Sequence, residues 1–575
     1  MTAFEITSTV TGKTRPVIGE MRLKLSEQAD INAAIMTRDN LDKCHPNCVD
    51  HPNKTGHPEP AKYLSKLGNS QHNRFHRLGD LSDLENAISN YQKAVRLAVD
   101  GHPDQTGYLS NLGSSQYSRF NCLGSLSDLE NAISNLQTAV QLTGDGHPNK
   151  AVYLSNLGSS QQGRFKHLGH SFDLDNAISN KQKAVQITAD GHPNQAMYLS
   201  NLGNSQTTRF NHLGDLSDLQ NSISNLQTAV HLTGDGHQNH ASYLSNLGNS
   251  QQARFNCLGD LSDAKNAISN YQKAIQLTAD GHPGRAVYLS NLGISYQRCF
   301  DSLGDLSNLE NAISSRQKAV QLTGDGHINQ ALYLSNLGNS YRTRFECLGE
   351  LSDLENAISS GQKAVQIAVD GHPDQALCLS NLGISQHTRF ERLGDMSDLE
   401  NAISNKEKAV QLTDNNPDQA SCLSNLGNSQ RVRFDRLGDL SDLENAISNY
   451  EKAVRLVGDG HPNRAMYLSN LGIAQQSCFI RLRDLSNLEN SISNKQEAVR
   501  LTGDGDRYKP GYLSNLGISQ YARFAFLGDL SDLESAVSNF DKAIQLTDDG
   551  HPDKTIYLSN LGVSKQIRFK FLRDP

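Results

Sequence analysis

The sequence predicts an all-α solenoid of antiparallel helix pairs, and three observations carry that prediction. One phrase returns through most of the chain: YLSNLG, RF, LGDLSDLENAIS, KAVQL and GDGHP, in that order. Both halves of the phrase place apolar residues at three- and four-residue steps, as one face of a helix requires. No stretch alternates apolar and polar residues as a half-buried strand would. Aligned on the recurring Leu-Gly pair, the Leu positions are 67, 112, 157, 202, 247, 292, 337, 382, 426, 471, 516 and 561. Ten of the eleven intervals are 45 residues and one is 44. A fixed period of this size marks a stacked array, in which each unit buries its apolar face only against its neighbours.

Each element of one unit follows from its residues. Leu64, Leu67, Gly68, Gln71, Phe75 and Leu78 share a face of the first helix. Leu78-Gly79-Asp80 supplies a C-terminal glycine stop. Ser82 and Glu85 read as a capping box that opens the second helix. Leu84, Ala87, Ile88, Tyr91, Ala94 and Val95 form the apolar face of that helix. Asp100-Gly101-His102-Pro103 then turns the chain, and Pro suits the start of the next helix.

The array is expected over residues 60–575, as eleven complete hairpins and a final first helix. Before it come an irregular tail (1–25) and a degenerate half-repeat with its linker (26–59), where Asp30-Ile31-Asn32-Ala33-Ala34-Ile35 lines up with DLENAI. The final first helix keeps the interior residues Phe569 and Leu572 where a terminal repeat usually carries a polar face, so an array that continued in an ancestor, or a fragment of a longer array, is expected.

Composition narrows the function. A net charge of −8 with no basic tract argues against a binder that works by neutralising nucleic-acid phosphates. No apolar run approaches the roughly 18 residues of a membrane span, and the N-terminus lacks the pattern of a secretory signal. Nine scattered Cys form no disulfide framework, which suits a reducing, cytoplasmic setting. The partner expected is therefore a protein or peptide, with no nucleic acid and no membrane.

Leu64-x2-Leu67-Gly68-x2-Gln71 followed by Ala87-x3-Tyr91-x2-Ala94 resembles the tetratricopeptide (TPR) signature. The resemblance covers roughly residues 60–575 and implies a right-handed superhelix with first helices lining a concave groove. The chain departs from the signature in having no Trp and in carrying Gln at the usual Tyr position, except at Tyr296 and Tyr341. The second-helix aromatic position is Lys181, Arg316, Gly361, Lys406 or Lys495 in five units, so that site is expected to be half exposed. The long repeat is similar to fungal TPR arrays that accompany CHAT protease or STAND switch domains. That likeness implies, as an alternative, the sensor or regulatory arm of such a protein.

Three recurrent columns are candidates for function. The first is asparagine: Asn111, Asn156, Asn201, Asn246, Asn291, Asn336, Asn381, Asn425, Asn470 and Asn515 each precede a Leu-Gly pair. Three residues further on stand Asn69, Asn204, Asn249, Asn339 and Asn428. An amide both donates and accepts, so it pairs with main chain of any sequence. A peptide-binding ladder is expected, with bonding between stacked helices as the other reading. Neighbouring positions change between units and turn aliphatic late, at Ile473, Ile518 and Val563, so the C-terminal third of the groove is expected to be the more apolar.

The second column is the Arg before each Phe, from Arg74 and Arg119 to Arg523 and Arg568, expected to pair with the Asp of Leu-Ser-Asp (Asp83, Asp128, Asp218). The third is the loop histidine, His102, His147, His192 and their equivalents, expected to bond local backbone because its spacing is too wide to share a zinc. Cys44, Cys48 and His51 form the one cluster with metal-like content, but their spacing is poor for zinc and no metal or other cofactor is expected. No nucleophile elbow, P-loop or HExxH motif occurs, and Met1–Pro60 lacks a recognisable catalytic set, so no enzyme is expected.

Overall fold

The computed structural model describes residues 60–573 apart from loop positions 99–101, 189–190, 283, 325–326, 328, 370, 415–417, 459 and 552. The tail, the half-repeat and the Cys44/Cys48/His51 cluster lie outside the described residues.

The chain divides into two compact units at Leu258 and Gly259. The described part of the first unit holds nine helices. They are α1 (Pro60–Leu78), α2 (Leu81–Leu97), α3 (Gln105–Leu123), α4 (Leu126–Leu142), α5 (Lys150–Leu168), α6 (Ser171–Gln186), α7 (Gln195–Leu213), α8 (Leu216–His231) and α9 (His240–Leu258). The described part of the second unit starts with α10 (Leu261–Gln276), α11 (Arg285–Leu303), α12 (Leu306–Leu322), α13 (Gln330–Leu348), α14 (Leu351–Ile367), α15 (Gln375–Leu393) and α16 (Met396–Leu412). It continues with α17 (Gln419–Leu437), α18 (Leu440–Leu456), α19 (Arg464–Leu482), α20 (Leu485–Arg500), α21 (Lys509–Leu527), α22 (Leu530–Gln545) and α23 (Lys554–Arg573). No described residue lies in a strand. Within each unit a helix touches its partner in the hairpin and its sequence neighbours, and successive first helices touch one another. The core is accordingly a string of small clusters, such as Leu84, Ala87, Ile88 and Tyr91 with Leu112 of the next repeat.

Gly79, at φ +74, ends α1 by donating its N–H to the Phe75 carbonyl, as the left-handed stop requires. The start of the second helix differs from the capping box. Asp80, with extended φ/ψ, is the N-cap, and its Oδ1 accepts from the Ser82 N–H at 2.9 Å. Ser82 already lies inside the helix. The same Asp cap returns at Asp215, Asp260, Asp305, Asp395, Asp439, Asp484 and Asp529. Asp outranks Ser here because a carboxylate also answers the positive end of the helix dipole.

A second correction concerns the variable second-helix site. Lys181, Arg316, Lys406 and Lys495 are buried, not half exposed. They occupy the seat that Tyr91, Leu136 or Tyr450 fills elsewhere, facing the Leu-Gly glycine of their own hairpin. A Cβ on Gly158 would lie 2.8 Å from the Ala177 carbonyl and 2.9 Å from Lys181 Cγ, so glycine lets the two helices close.

Candidate peptide groove and its polar seams

The Arg column forms the expected ion pairs. Arg164 Nε donates to Asp173 Oδ2 at 2.9 Å while its Nη2 donates to Oδ1, and the same fork recurs at Arg119/Asp128 and Arg209/Asp218. The carboxylates are enclosed and the guanidiniums partly open, a bidentate arrangement that fixes the hairpin angle. Arg209, Arg344 and Arg433 also reach back to Asp175, Glu310 and Glu400 on the second helix of the preceding repeat.

The loop histidines act as turn residues. The ring Nδ1 accepts from the backbone N–H two residues on, at 3.1 Å for His147 to Asn149 and His192 to Asn194. Seven of the rings also pack on the Tyr six residues later, as in His147 with Tyr153 and His192 with Tyr198.

Gln at the signature's Tyr position also has a partner. In eight repeats an Asn of the second helix donates to its Oε1, from Asn90 to Gln71 at 2.7 Å through Asn225 to Gln206 at 2.9 Å. Where Tyr returns, the column still accepts but the donor comes from the second helix of the preceding repeat: Gln272 and Gln317 donate to the Tyr296 and Tyr341 hydroxyls at 2.9 and 2.6 Å.

The candidate Asn ladder sits half-buried between successive first helices. Asn201, Asn246, Asn381, Asn425, Asn470 and Asn515 each donate from Nδ2 to a Ser hydroxyl of the preceding repeat, at 2.9–3.5 Å. The acceptors are Ser155, Ser200, Ser335, Ser380, Ser424 and Ser469, a column the sequence reading did not single out. Asn111 and Asn156 donate instead to Asn69 Oδ1 at 3.2 Å and Ser114 Oγ at 3.1 Å. Bonding between stacked helices is therefore real, and it uses one of the two amide hydrogens; the carbonyl oxygen takes no part in it. Asn291 and Asn336 are likewise half-buried, and the backbone carbonyl of Asn336 accepts from Arg316 Nη1 at 3.0 Å. In the second column, Asn69 and Asn428 accept the Tyr91 and Tyr450 hydroxyls at 2.7 Å. Asn339 is half-buried on α13.

Four of these residues meet. Asn201, Asn204, Asn246 and Asn249 line an open cleft of about 600 Å³ in the first unit, together with Tyr117, Gln162, Gly163, Lys166, Lys181, Thr207, Thr208 and Ser250. Its floor runs over α5, α7 and α9, with Tyr117 of α3 at one end. The Tyr117 ring lies on Gly163 so closely that a Cβ there would come within 2.6 Å of it. Lys181, Lys166 and the Ser column are functional candidates the sequence reading missed. Gly163 was a readable signal, because no other repeat has glycine at that place.

Each unit is an all-α array of paired helices. No protein-family model matches the chain, and no curated protein matches it. Among solved structures it is similar to yeast Tom70, at 15% identity over 88% of this chain and 96% of that one, with a TM-score of 0.37. It is similar to the human IFIT1 dimer with PPP-AAAA, at 14% identity over 92% and 97%, with a TM-score of 0.42. A tetratricopeptide repeat protein from Parabacteroides merdae matches at 13% identity over 56% of this chain and 99% of its own, with a TM-score of 0.34. The all-α assignment rests on the helix pairs themselves. No described helix is long and apolar enough to cross a membrane.

Proposed function

We propose that this chain is a non-enzymatic interaction scaffold that holds an extended segment of a protein partner along the face of its first helices. The observation that carries the reading is the cleft over α5, α7 and α9, where Asn201, Asn204, Asn246 and Asn249 come to one surface. Asn201 and Asn246 each keep one amide hydrogen and the carbonyl oxygen beyond their bonds to Ser155 and Ser200, enough to hold the N–H and C=O of a visiting main chain. Selectivity then follows the neighbouring column. In the first unit it is polar throughout, with Asn69, Ser114, Ser159, Asn204 and Asn249. In the second unit Ile294, Ile384, Ile473, Ile518 and Val563 stand half-buried or exposed at the same place, favouring apolar side chains. The alternative, a regulatory arm of a CHAT or STAND protein, rests on the sequence resemblance alone.

Two sets of variants separate groove from stacking. Peptides selected from a random library on the wild-type chain are titrated against Asn201→Ala/Asn246→Ala and against Ser155→Ala/Ser200→Ala. The Ser variants break the same inter-helix bonds yet keep the amides. Groove binding predicts that the Asn pair loses about tenfold in affinity while the Ser pair binds as wild type. Equal losses in both sets, or none in either, would overturn the reading.

A further inference from the structure

Four seats in the core carry a cation where other repeats carry Tyr, Leu or Phe, and none of the four makes an ion pair among the described residues. Lys181 Nζ donates to Gln162 Oε1 and Ser205 Oγ, both at 2.7 Å. Lys495 Nζ donates to Gln476 Oε1 at 2.6 Å and Ser519 Oγ at 2.7 Å, Lys406 to Ser429 Oγ at 2.6 Å, and Arg316 to Ser340. A buried ammonium held only by neutral oxygens is costly, because dipoles return a fraction of its lost hydration.

Lys181 differs from the others in what faces it. At Lys406 the Glu391 carboxylate favours the charged form. At Lys181 the charge that acts is Lys166, of like sign, and burial with that repulsion lowers Lys181 to about 7. Both lysines line the 600 Å³ cleft, and no carboxylate does. Facing them are the amides of Asn201, Asn204, Asn246 and Asn249, of which Asn204 makes no side-chain bond among the described residues. The cleft thus gathers two cations and several amide hydrogens with no anion to answer them.

We propose that the cleft at Lys181 and Lys166 is a binding site for a phosphate monoester. A phosphoryl group brings more than one negative charge and three terminal oxygens, which suit two ammoniums and spare amide hydrogens better than the two oxygens of a carboxylate. Tyr117, packed against Gly163 at the cleft's end, offers a wall for the organic part of the ester. The site shares the cleft on which the proposed groove rests, and a small ester, which contains no peptide, tests the phosphate site separately from backbone capture.

The test is calorimetric titration of the full chain with phenyl phosphate, inorganic phosphate and acetate at one ionic strength. Lys181→Leu is the decisive variant, because Leu136 and Leu226 fill the same seat in the flanking repeats and are fully buried there. Phenyl phosphate is expected to bind saturably, about tenfold or more weaker to Lys181→Leu and weaker also to Lys166→Gln. A phosphoserine peptide that binds more tightly than phenyl phosphate assigns the ester to a partner chain; parity assigns it to a free metabolite. The proposal is overturned if phenyl phosphate shows no saturable binding, if Lys181→Leu binds it as wild type does, or if acetate binds as tightly as phosphate.

Discussion

Lys495 offers a direct measure of what a buried cation costs this fold. Its side chain is enclosed between α19, α20 and α21, and burial lowers it from 10.5 to about 7. In the unfolded chain the same group titrates near its ordinary value. Between those two values the unfolded state holds more protons than the folded state, so stability rises with pH across that window. Integrated from about pH 7 to about pH 9, one such lysine adds about 2 kcal/mol to the wild-type chain. Lys495→Leu places in the seat the residue found at Leu136 and Leu226 and removes the pH term. Ser519 Oγ keeps its bond to Gln476 Oε1 at 2.8 Å, so no polar group is orphaned. The variant is therefore more stable than wild type near pH 7, and its advantage shrinks by about 2 kcal/mol by pH 9. Urea unfolding followed by circular dichroism, fitted as a linear array of coupled repeats, measures the difference. Because other groups titrate equally in both proteins, the comparison isolates the lysine. A stability difference that stays constant over that range would refute the reasoning, since Lys495 would then be charged throughout.

Two further outcomes follow from local geometry. Arg483 takes the place of the usual stop glycine at φ 58, so Arg483→Gly relieves the left-handed strain. The gain is about 1 kcal/mol less a small loss of the Arg483–Phe479 ring contact, and it appears as a higher thermal midpoint. Arg164→Ala leaves the enclosed Asp173 carboxylate without its fork and costs about 3 kcal/mol by urea unfolding, part of which Asp173→Asn recovers in the double variant.

Much of this was legible in the sequence because the information is local. Leu-Gly-Asp stops a helix wherever it falls, Arg and Asp nine residues apart meet across the same turn, and His before Pro finds the next amides. What stayed hidden is contact between repeats. In an array with one period, every column recurs at 45 residues from itself, so spacing cannot say which column touches which. That Asn201 donates to Ser155, 46 residues back, appears only when the stagger of α5 and α7 is known. The seat of Lys181 was misjudged for the same reason. A lysine reads as exposed until Ser205, in the next repeat, is seen beside it. The cap was misread because Ser82 and Asp80 are both good capping residues, and the helix entry angle chooses Asp80.

The Asn–Ser seam has an evolutionary corollary. At six junctions a hydroxyl in one hairpin meets an amide in the next, so the hairpins there offer the same half-bond forward and the same half-bond backward. Recombination that excises or duplicates one period inside a unit rejoins matching halves, and the seam closes as before. Copy number is thus free to drift at little structural cost, while a one-off feature such as the Tyr117–Gly163 wall travels with the two hairpins that own it.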